Sequence, residues 1–492
     1  MKKRSIKEIS MRPSFSRIIS RISLMALCVS LLYPFTLLEA REQVKTKADK
    51  LKFDSISASL NSPSSKDFDS AKTDQAKQQD SDSQQDAINY SDIIDQNTLS
   101  LPYRKLTSLT GISNHLELEE LDLSNNEFGD STTSLKGLSN LVNLKKLDLS
   151  KNKLNSINEI VALNKLENLN LRANNIESLQ GISKLVNLKV LNIYENKLAS
   201  LEGLSKLSEY KKNSLSKKIE VKYDSESYLN RLQQLLAGKN QITTLEHFPE
   251  LPELWMLDLS QNQITSLKYL PQLPNLHVLN LSDNQIASFK DQEVDVLGRL
   301  QSLRDLDLSN NQISSLEGFS ILTENNIKLF NEENKSEKKL HLSELTCLNL
   351  RNNCLNSLKW LPDLPKLEKL YLDGNNLVSL DELVKFDALE VLTLSENEEL
   401  SVEELSKLKL PNLKKLTLGK ILPNSLPMSE LKNLQRIDFS FKIDSPNKRE
   451  DFIKEIVKFS EMFPNCNIYV PSSESFPHSN RIRIKNGFKH KI

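Results

Sequence analysis

The sequence predicts an α/β solenoid, a curved right-handed superhelix with a parallel β-sheet on its concave side and mostly 3₁₀ or extended returns on its convex side. Three observations support this fold. The pattern L-x-x-L-x-L-x-x-N-x-[LIF] recurs from Leu118 onwards. Its asparagines are 22 residues apart in six of ten intervals, which is typical of a repeat architecture. The copies at both ends are imperfect, as the exposed ends of a solenoid require.

Each recurring position of the pattern has a physical role. In the L-x-L core, period-2 alternation turns the leucines inward and the intervening residues towards the concave face. Neighbouring repeats then pair as parallel strands and bury the leucine columns in one core. An asparagine amide has donors and an acceptor, so we expect it to bond loop backbone groups that would otherwise be unpaired. The predicted asparagine ladder consists of Asn126, Asn152, Asn174, Asn196, Asn240, Asn262, Asn284, Asn311, Asn353, Asn375 and Asn397.

The second half of each repeat returns along the convex side. Several of these segments contain prolines, namely Pro271, Pro274, Pro362 and Pro365. Proline lacks a backbone donor and disfavours the α-helix. The returns are therefore predicted to be 3₁₀ or extended segments.

Two insertions interrupt the repeats, near residues 205–228 and near residues 320–342. Both follow an L-E-G-[LF] return segment, and both are rich in Lys, Glu and Ser. This composition is typical of a solvated loop, but long insertions in repeat proteins also mark a binding side. Both interpretations remain open at this point.

The repeats are predicted to extend over residues 96–445 and to be closed at both ends. Residues 98–112 match a degenerate first repeat, and the last two strand segments keep the strand pattern but lack the asparagine. Residues 446–470 predict a helix–strand cap, because the apolar residues of EDFIKEIVKFSEMF share one helical face. Residues 471–492 are predicted to be a loose basic tail.

The first forty residues have the parts of a secretory signal. A basic segment precedes an uncharged run from Ile22 to Leu38. This run is long for the core of a signal peptide and short for a membrane span. Residues 1–40 therefore predict a cleaved signal peptide or an uncleaved signal anchor, with a mitochondrial-type transit peptide as the third alternative. Residues 41–95 are rich in Ser, Asp, Lys and Gln, which predicts a disordered linker.

Composition and motifs argue against several functional classes. Lys plus Arg and Asp plus Glu balance at 65 each, so the whole chain offers no basic field that would favour a nucleic-acid partner. The sequence contains no P-loop, G-x-S-x-G or H-E-x-x-H motif, and its six histidines are scattered. We therefore predict no catalytic residue, no cofactor and no metal site.

One stretch of the concave face departs from the polar pattern of the rest. Concave side chains occupy the third, fifth and seventh positions of each L-x-x-L-x-L-x motif, and repeats four to seven hold apolar residues there. Stacked at repeat spacing, these apolar residues are expected to form one contiguous exposed patch. An exposed apolar patch with a polar rim is often a contact site, and Tyr, Met and Arg are enriched at interfaces, although Val is also an ordinary strand residue. The predicted partner-binding patch consists of Arg172, Val190, Tyr194, Leu236, Met256, Asp258 and Val278.

The 22-residue unit L-x-x-L-x-L-x-x-N-x-I-x-x-L-x-G-L resembles the leucine-rich repeats of bacterial internalins and of a regulatory subunit of protein phosphatase 1. The resemblance covers roughly residues 98–440, and it implies a protein-binding solenoid without catalysis. Together with the leader, it indicates an adhesin- or effector-like bacterial protein that is secreted or lies at the cell surface or in the periplasm. Only an uncleaved leader would contact a membrane. The alternative is a periplasmic or intracellular structural or regulatory scaffold that resembles the phosphatase regulator.

Overall fold

The computed structural model arranges the repeats as one solenoid. It describes residues 97–129, 134–205, 211–212, 219–220, 229–289, 297, 300–318, 342–419, 426, 430–439, 456, 460, 466–471 and 481–484. The predicted leader (1–40) and linker (41–95) lie outside the described residues, as does most of both insertions. Within the described ranges, no helix is long and apolar enough to cross a membrane.

Within the described residues, sixteen strands form one sheet, and their order in the sheet follows the chain. All neighbouring pairs are parallel except the last, β17 with β18, so the predicted fold class is confirmed. The strands, including β6 and β7 of the first insertion, are β1 (Thr98–Ser100), β2 (Glu120–Asp122), β3 (Lys146–Asp148), β4 (Asn168–Asn170), β5 (Val190–Asn192), β6 (Lys211–Lys212), β7 (Ile219–Glu220), β8 (Gln234–Leu236), β9 (Met256–Asp258), β10 (Val278–Asn280), β11 (Asp305–Asp307), β12 (Cys347–Asn349), β13 (Lys369–Tyr371), β14 (Val391–Thr393), β15 (Lys415–Leu418), β16 (Arg436–Phe439), β17 (Asn467–Pro471) and β18 (Arg481–Ile484).

The two insertions do not interrupt the sheet. Leu191 of β5 pairs with Leu235 of β8, and Leu306 of β11 pairs with Leu348 of β12. The strands before and after each insertion are therefore direct neighbours. Within the first insertion, β6 and β7 pair antiparallel with each other and not with the main sheet.

The leucine columns form the core. The central residue of each repeat strand and the second residue after it both point inward, as at Leu257 and Leu259, which are fully buried. The core runs through all described repeats as one cluster from Leu99 to Val470. Because one repeat cannot enclose its own leucines, each repeat depends on its neighbours for stability.

The returns carry little helix. Those with regular structure contain a single 3₁₀ turn or a short α-helix, α1, and the returns with Pro271 and Pro362 contain only turns. Helix α1 begins after Ser401, whose side chain accepts a hydrogen bond from the backbone N–H of Glu404. Within the described residues, the helical segments of three or more residues are the 3₁₀ turns Ile112–Asn114, Leu138–Asn140, Ile182–Lys184, Glu202–Leu204 and Asp381–Lys385, and α1 (Val402–Ser406).

The ladder asparagines link each repeat to the preceding one. All eleven are buried, and Asn262 shows the geometry that they share. Its Oδ1 accepts the backbone N–H of Ile242 at 3.0 Å, and its Nδ2 donates to the carbonyl oxygens of Ala237 at 3.1 Å and Leu259 at 3.0 Å. One side chain thereby satisfies backbone groups of two repeats in a site that is closed to water.

The residue before each ladder asparagine has a left-handed backbone. The angle φ is 55° at Asn125, 52° at Gln261 and 54° at Asn310. This conformation favours Gly, Asn and Asp, yet several repeats place Lys, Ala, Glu or Gln there. The 22-residue pattern alone did not reveal this constraint, since the residue type at this position varies.

The C-terminal end of the sheet is longer than predicted. β17 lies where the closing strand of the cap was expected, and Ile456 and Ser460 are buried in helical conformation, whereas the rest of the predicted cap helix lies outside the described residues. The prediction of a loose basic tail from residue 471 is wrong at Arg481–Ile484, which forms β18 and pairs antiparallel with β17. The alternation in RIRI is a strand pattern, and an unpaired edge of β17 offers its backbone groups to it.

Candidate functional site

Side chains on the concave face form columns that run across the strands. Neighbouring members of one column lie about 4.8 Å apart, which is the distance between strands. The strand register places these third-position residues side by side: Val190, Gln234, Met256, Val278 and Asp305. It places these fifth-position residues side by side: Asn192, Leu236, Asp258, Asn280 and Asp307. Gln234 therefore separates Val190 from Met256, and the predicted apolar patch is not continuous along one column.

The seven residues of the predicted patch differ in exposure. Arg172 is exposed, and Val190, Tyr194 and Leu236 are half-buried. The prediction that the apolar residues are exposed is wrong for Met256 and Val278, which are 2% and 7% exposed, and the patch's one carboxylate, Asp258, is 1% exposed. Side chains of one column lie at the spacing of the strands and cover one another, which explains this burial. A role in partner binding stays a prediction for all seven.

Tyr194 is the half-buried aromatic group at the centre of this region. A Cβ atom built on Gly238 would lie 2.7 Å from Cε2 of Tyr194 and 2.8 Å from Oγ of Ser260. The tyrosine ring of the fourth repeat therefore lies over Gly238 of the fifth repeat and reaches towards the sixth. The absence of a side chain at position 238 creates the space that the ring occupies.

Charged groups surround this ring. The guanidinium of Arg172 lies 5.3 Å from the centre of the Tyr194 ring, which is within the range of a cation–π contact. Glu195 pairs with Arg172 at 3.9 Å and also with Lys239. Burial raises the pKa of the Tyr194 hydroxyl, and the charge of Asp258 raises it further, so the phenol is neutral at physiological pH and can donate a hydrogen bond.

A second feature of the concave face is a set of carboxylates next to the apolar residues. Burial is the largest cause that raises the pKa values of Asp258, Asp283 and Asp305, and the charge of Asp307 contributes at Asp258 and Asp283. Sequence reasoning did not single out Asp283, Asp305 or Asp307. A count of charge by column would have found them, since the signal lies in neighbouring strands and not in one motif.

Another aromatic–cation pair lies further along the same face. Arg351 stacks on Tyr371 with 4.3 Å between the guanidinium and the ring centre, and its Nε lies 2.5 Å from Oδ2 of Asp373. Asp373 also accepts the backbone N–H of Ser395. Asp373 thus holds the Arg351–Tyr371 pair in place, whereas the ring of Tyr194 packs against Gly238.

The concave residue Cys347 is a poor nucleophile. Burial and the nearby charge of Asp305 raise the pKa of its thiol far above the usual value. Because the thiolate is the reactive form, Cys347 stays protonated at physiological pH. Within the described part of the chain, no group of three or more His, Cys, Asp or Glu side chains has the geometry of a metal site.

Two family models match the chain by sequence. The model described as Leucine Rich repeats (2 copies) matches residues 164–206 and 252–294. The model described as Leucine Rich Repeat matches residues 117–141 and 302–323. No curated protein matches the chain.

Solved structures share the fold over most of the chain. An internalin (InlF) of Listeria monocytogenes is 24% identical, with 70% of this chain and 87% of that chain covered and a TM-score of 0.55. A leucine-rich-repeat protein of Leptospira interrogans is 28% identical, with 75% of this chain and 83% of that chain covered and a TM-score of 0.53. The similarity therefore extends over most of each chain.

Proposed function

Since this chain is a leucine-rich-repeat protein of the 22-residue class, we propose that it is an exported, non-catalytic binding protein of the adhesin or effector kind that holds a protein ligand on its concave face. The observation that carries this proposal is the Tyr194 ring, which lies over Gly238 and is contacted by Arg172. Aromatic and arginine side chains dominate the energetics of protein interfaces. The internalin-like fold of the repeats supports the proposal.

The contact surface that we propose is smaller than the patch predicted from sequence. Its accessible members are Arg172, Val190, Tyr194 and Leu236, whereas Met256 and Val278 are buried. A half-buried aromatic ring that is already fixed in place loses little conformational entropy when a ligand covers it. A small contact area can therefore still contribute strongly to affinity.

We propose that the protein acts outside the compartment in which it is made, in secreted form or at a cell surface or in a periplasm. The basic and apolar leader at residues 1–40 supports this localisation, and the linker at residues 41–95 would separate the repeats from a membrane if the leader is not cleaved. The concave face would then be presented to partners in the surrounding medium.

The first test is a binding comparison between matched tyrosine variants. Tyr194→Ala combined with Val190→Ala is expected to weaken partner binding by about 1–2 kcal/mol per side chain, because both contribute accessible apolar area. Wild-type and variant chains are immobilised and incubated with extracts of candidate partner cells. The retained proteins are identified, and the affinity of a protein that wild type retains is then measured for each variant.

Tyr371→Ala is the matched control, because Tyr371 is another concave tyrosine stacked by an arginine. It should leave the affinity unchanged, and the unfolding midpoints of all variants should stay close to that of wild type. If Tyr371→Ala or a change in the insertion at 320–342 abolishes binding while the Tyr194 variant binds normally, the contact site lies there and not around Tyr194.

The second test concerns export. We expect the native protein either to begin near Arg41 after cleavage of the leader or to remain attached to a membrane through Ile22–Leu38. N-terminal sequencing and fractionation of the native protein distinguish these two forms. Recovery of soluble chains that begin at Met1 would contradict both and would favour an intracellular scaffold.

A further inference from the structure

The centre of the concave face has an unbalanced negative charge. The concave third, fifth, seventh and eighth positions of the three repeats that contain β9, β10 and β11 include four aspartates and no basic residue. We name this set the acidic centre, and it consists of Asp258, Asp283, Asp305 and Asp307. Basic residues occur at the same positions on both sides of it, Lys239 in the repeat before and Arg351 in the repeat after.

The charge of these carboxylates is compensated only in part within the chain. The charges of Lys369 and Arg304 oppose the effect of burial on the pKa of Asp305, whereas no basic group is among the causes that shift the pKa values of Asp258 and Asp283. Asp307 accepts hydrogen bonds from Ser309 at one oxygen and from Asn349 at the other, so its charge is stabilised. The negative charge of Asp307 raises the pKa values of Asp258 and Asp283, and their burial raises these pKa values as well. Both effects disfavour the ionised carboxylate. A cation bound at this place would relieve both effects.

Asp258 provides a second and independent observation. Its Oδ1 accepts the backbone N–H of Ser260 at 3.0 Å, but its buried Oδ2 has no hydrogen-bond partner among the described residues. In the same column, Oδ2 of Asp148 and of Asp307 each accept a bond from an asparagine of the next repeat, at 2.9 and 3.0 Å. Asp258 thus has one acceptor left over, and a buried unpaired carboxylate oxygen is costly.

We propose that the acidic centre binds a basic segment of the partner protein, whose Lys or Arg side chains pair with Asp283, Asp305 and the unpaired oxygen of Asp258. The inference rests on the function proposed above, because it names the chemistry of the ligand for the same concave face. Asp283 is exposed and Asp305 is half-buried, so the incoming cations meet these two first. Because Asp258, Met256 and Val278 are 1%, 2% and 7% exposed, a donor reaches the unpaired oxygen of Asp258 only after the side chains of Met256 and Val278 move aside.

A single metal ion fits this arrangement less well than a row of basic side chains. Asp258 and Asp307 belong to strands that are two positions apart, which separates their backbones by about 10 Å. Metal–oxygen distances are only about 2.0–2.6 Å, and no metal-ligand group occurs among the described residues. Lysines in an extended segment are spaced by about 3.3 Å per residue, so residues three apart match the separation of the carboxylates.

The test uses the full chain and a short fluorescein-labelled peptide in which every third residue is lysine and the others are serine. Fluorescence anisotropy at about 0.1 M salt should show saturable binding, whereas a peptide with glutamate in place of lysine should not bind. The double variant Asp258→Asn and Asp283→Asn should weaken binding of the lysine peptide by about tenfold. The substitutions keep the side-chain shape and remove like charges, so the unfolding midpoint of this variant should not fall.

The matched control is the double variant Asp122→Asn and Asp148→Asn, which changes two aspartates of the same column outside the acidic centre. It should bind the lysine peptide like wild type. The inference is overturned if the lysine peptide does not bind saturably, if both double variants lose the same affinity, or if Ca²⁺ alone binds saturably and displaces the peptide.

The outcome also separates this inference from the proposed function. If the native partner is lost with Tyr194→Ala and Val190→Ala but binds the Asp258→Asn and Asp283→Asn variant normally, the concave contact site stands and the basic-segment inference fails. If the lysine peptide behaves as expected but the native partner ignores the Tyr194 surface, the acidic centre stands and the proposed contact surface fails.

Discussion

Replacing a ladder asparagine by alanine is expected to lower the free energy of unfolding by roughly 1–3 kcal/mol. Asn262→Ala removes the acceptor of the Ile242 N–H and the donor to the Ala237 carbonyl. Asn311→Ala removes the equivalent bonds to Ile286 and Leu281. The backbone groups that lose these bonds are buried, so water cannot replace the missing hydrogen bonds. Denaturant titrations of the single variants measure the effect.

The control must lie beside the ladder without sharing its backbone constraint. Gln263→Ala and Gln312→Ala follow the two ladder residues and change exposed side chains, so they should cost less than about 0.5 kcal/mol. Asn310 is unsuitable as a control, because its φ of 54° makes alanine unfavourable there. If Gln312→Ala destabilises the protein as much as Asn311→Ala does, the hydrogen-bond ladder is not the cause.

The fold could be predicted because its determinants are local and repeated. Leucines at fixed spacing define the inward face of each strand, and the asparagine marks the turn that follows. A repeat that departs from the pattern can still be recognised because its neighbours match the pattern. Ala237, for example, replaces a leucine and is still fully buried in the core. The segment Arg481–Ile484 lacked this support, since its alternation occurs only once and its partner strand β17 was known only as a cap.

The candidate site could be predicted only in part, because burial on the concave face depends on residues that are distant in sequence. The pattern placed Met256 and Val278 on this face but could not show that their neighbours cover them. It gave no sign that Gly238 makes room for the Tyr194 ring, which comes from the strand before it. The acidic centre was accessible to sequence reasoning, but only by comparing columns across three repeats.

Each insertion follows a return segment that packs tightly on the repeat before it. Gly318 lies just ahead of the second insertion, with a φ of 120°. A Cβ atom at this position would lie 2.4 Å from the carbonyl oxygen of Phe289 and 2.7 Å from its Cβ. The close approach to Phe289 therefore requires glycine at the last described residue before the second insertion.

Gly318→Ala is therefore expected to lower the free energy of unfolding by roughly 2–4 kcal/mol, as the sum of backbone strain and a clash with a buried backbone group. Gly129→Ala is the matched control, because no atom lies within 4 Å of the position of its Cβ, and it should change stability by about 0.5 kcal/mol or less. Denaturant titration compares the two variants. If the free energy of unfolding changes by a similar small amount in both variants, the return segment adjusts to a side chain at Gly318. The packing of Gly318 on Phe289 would then not require glycine.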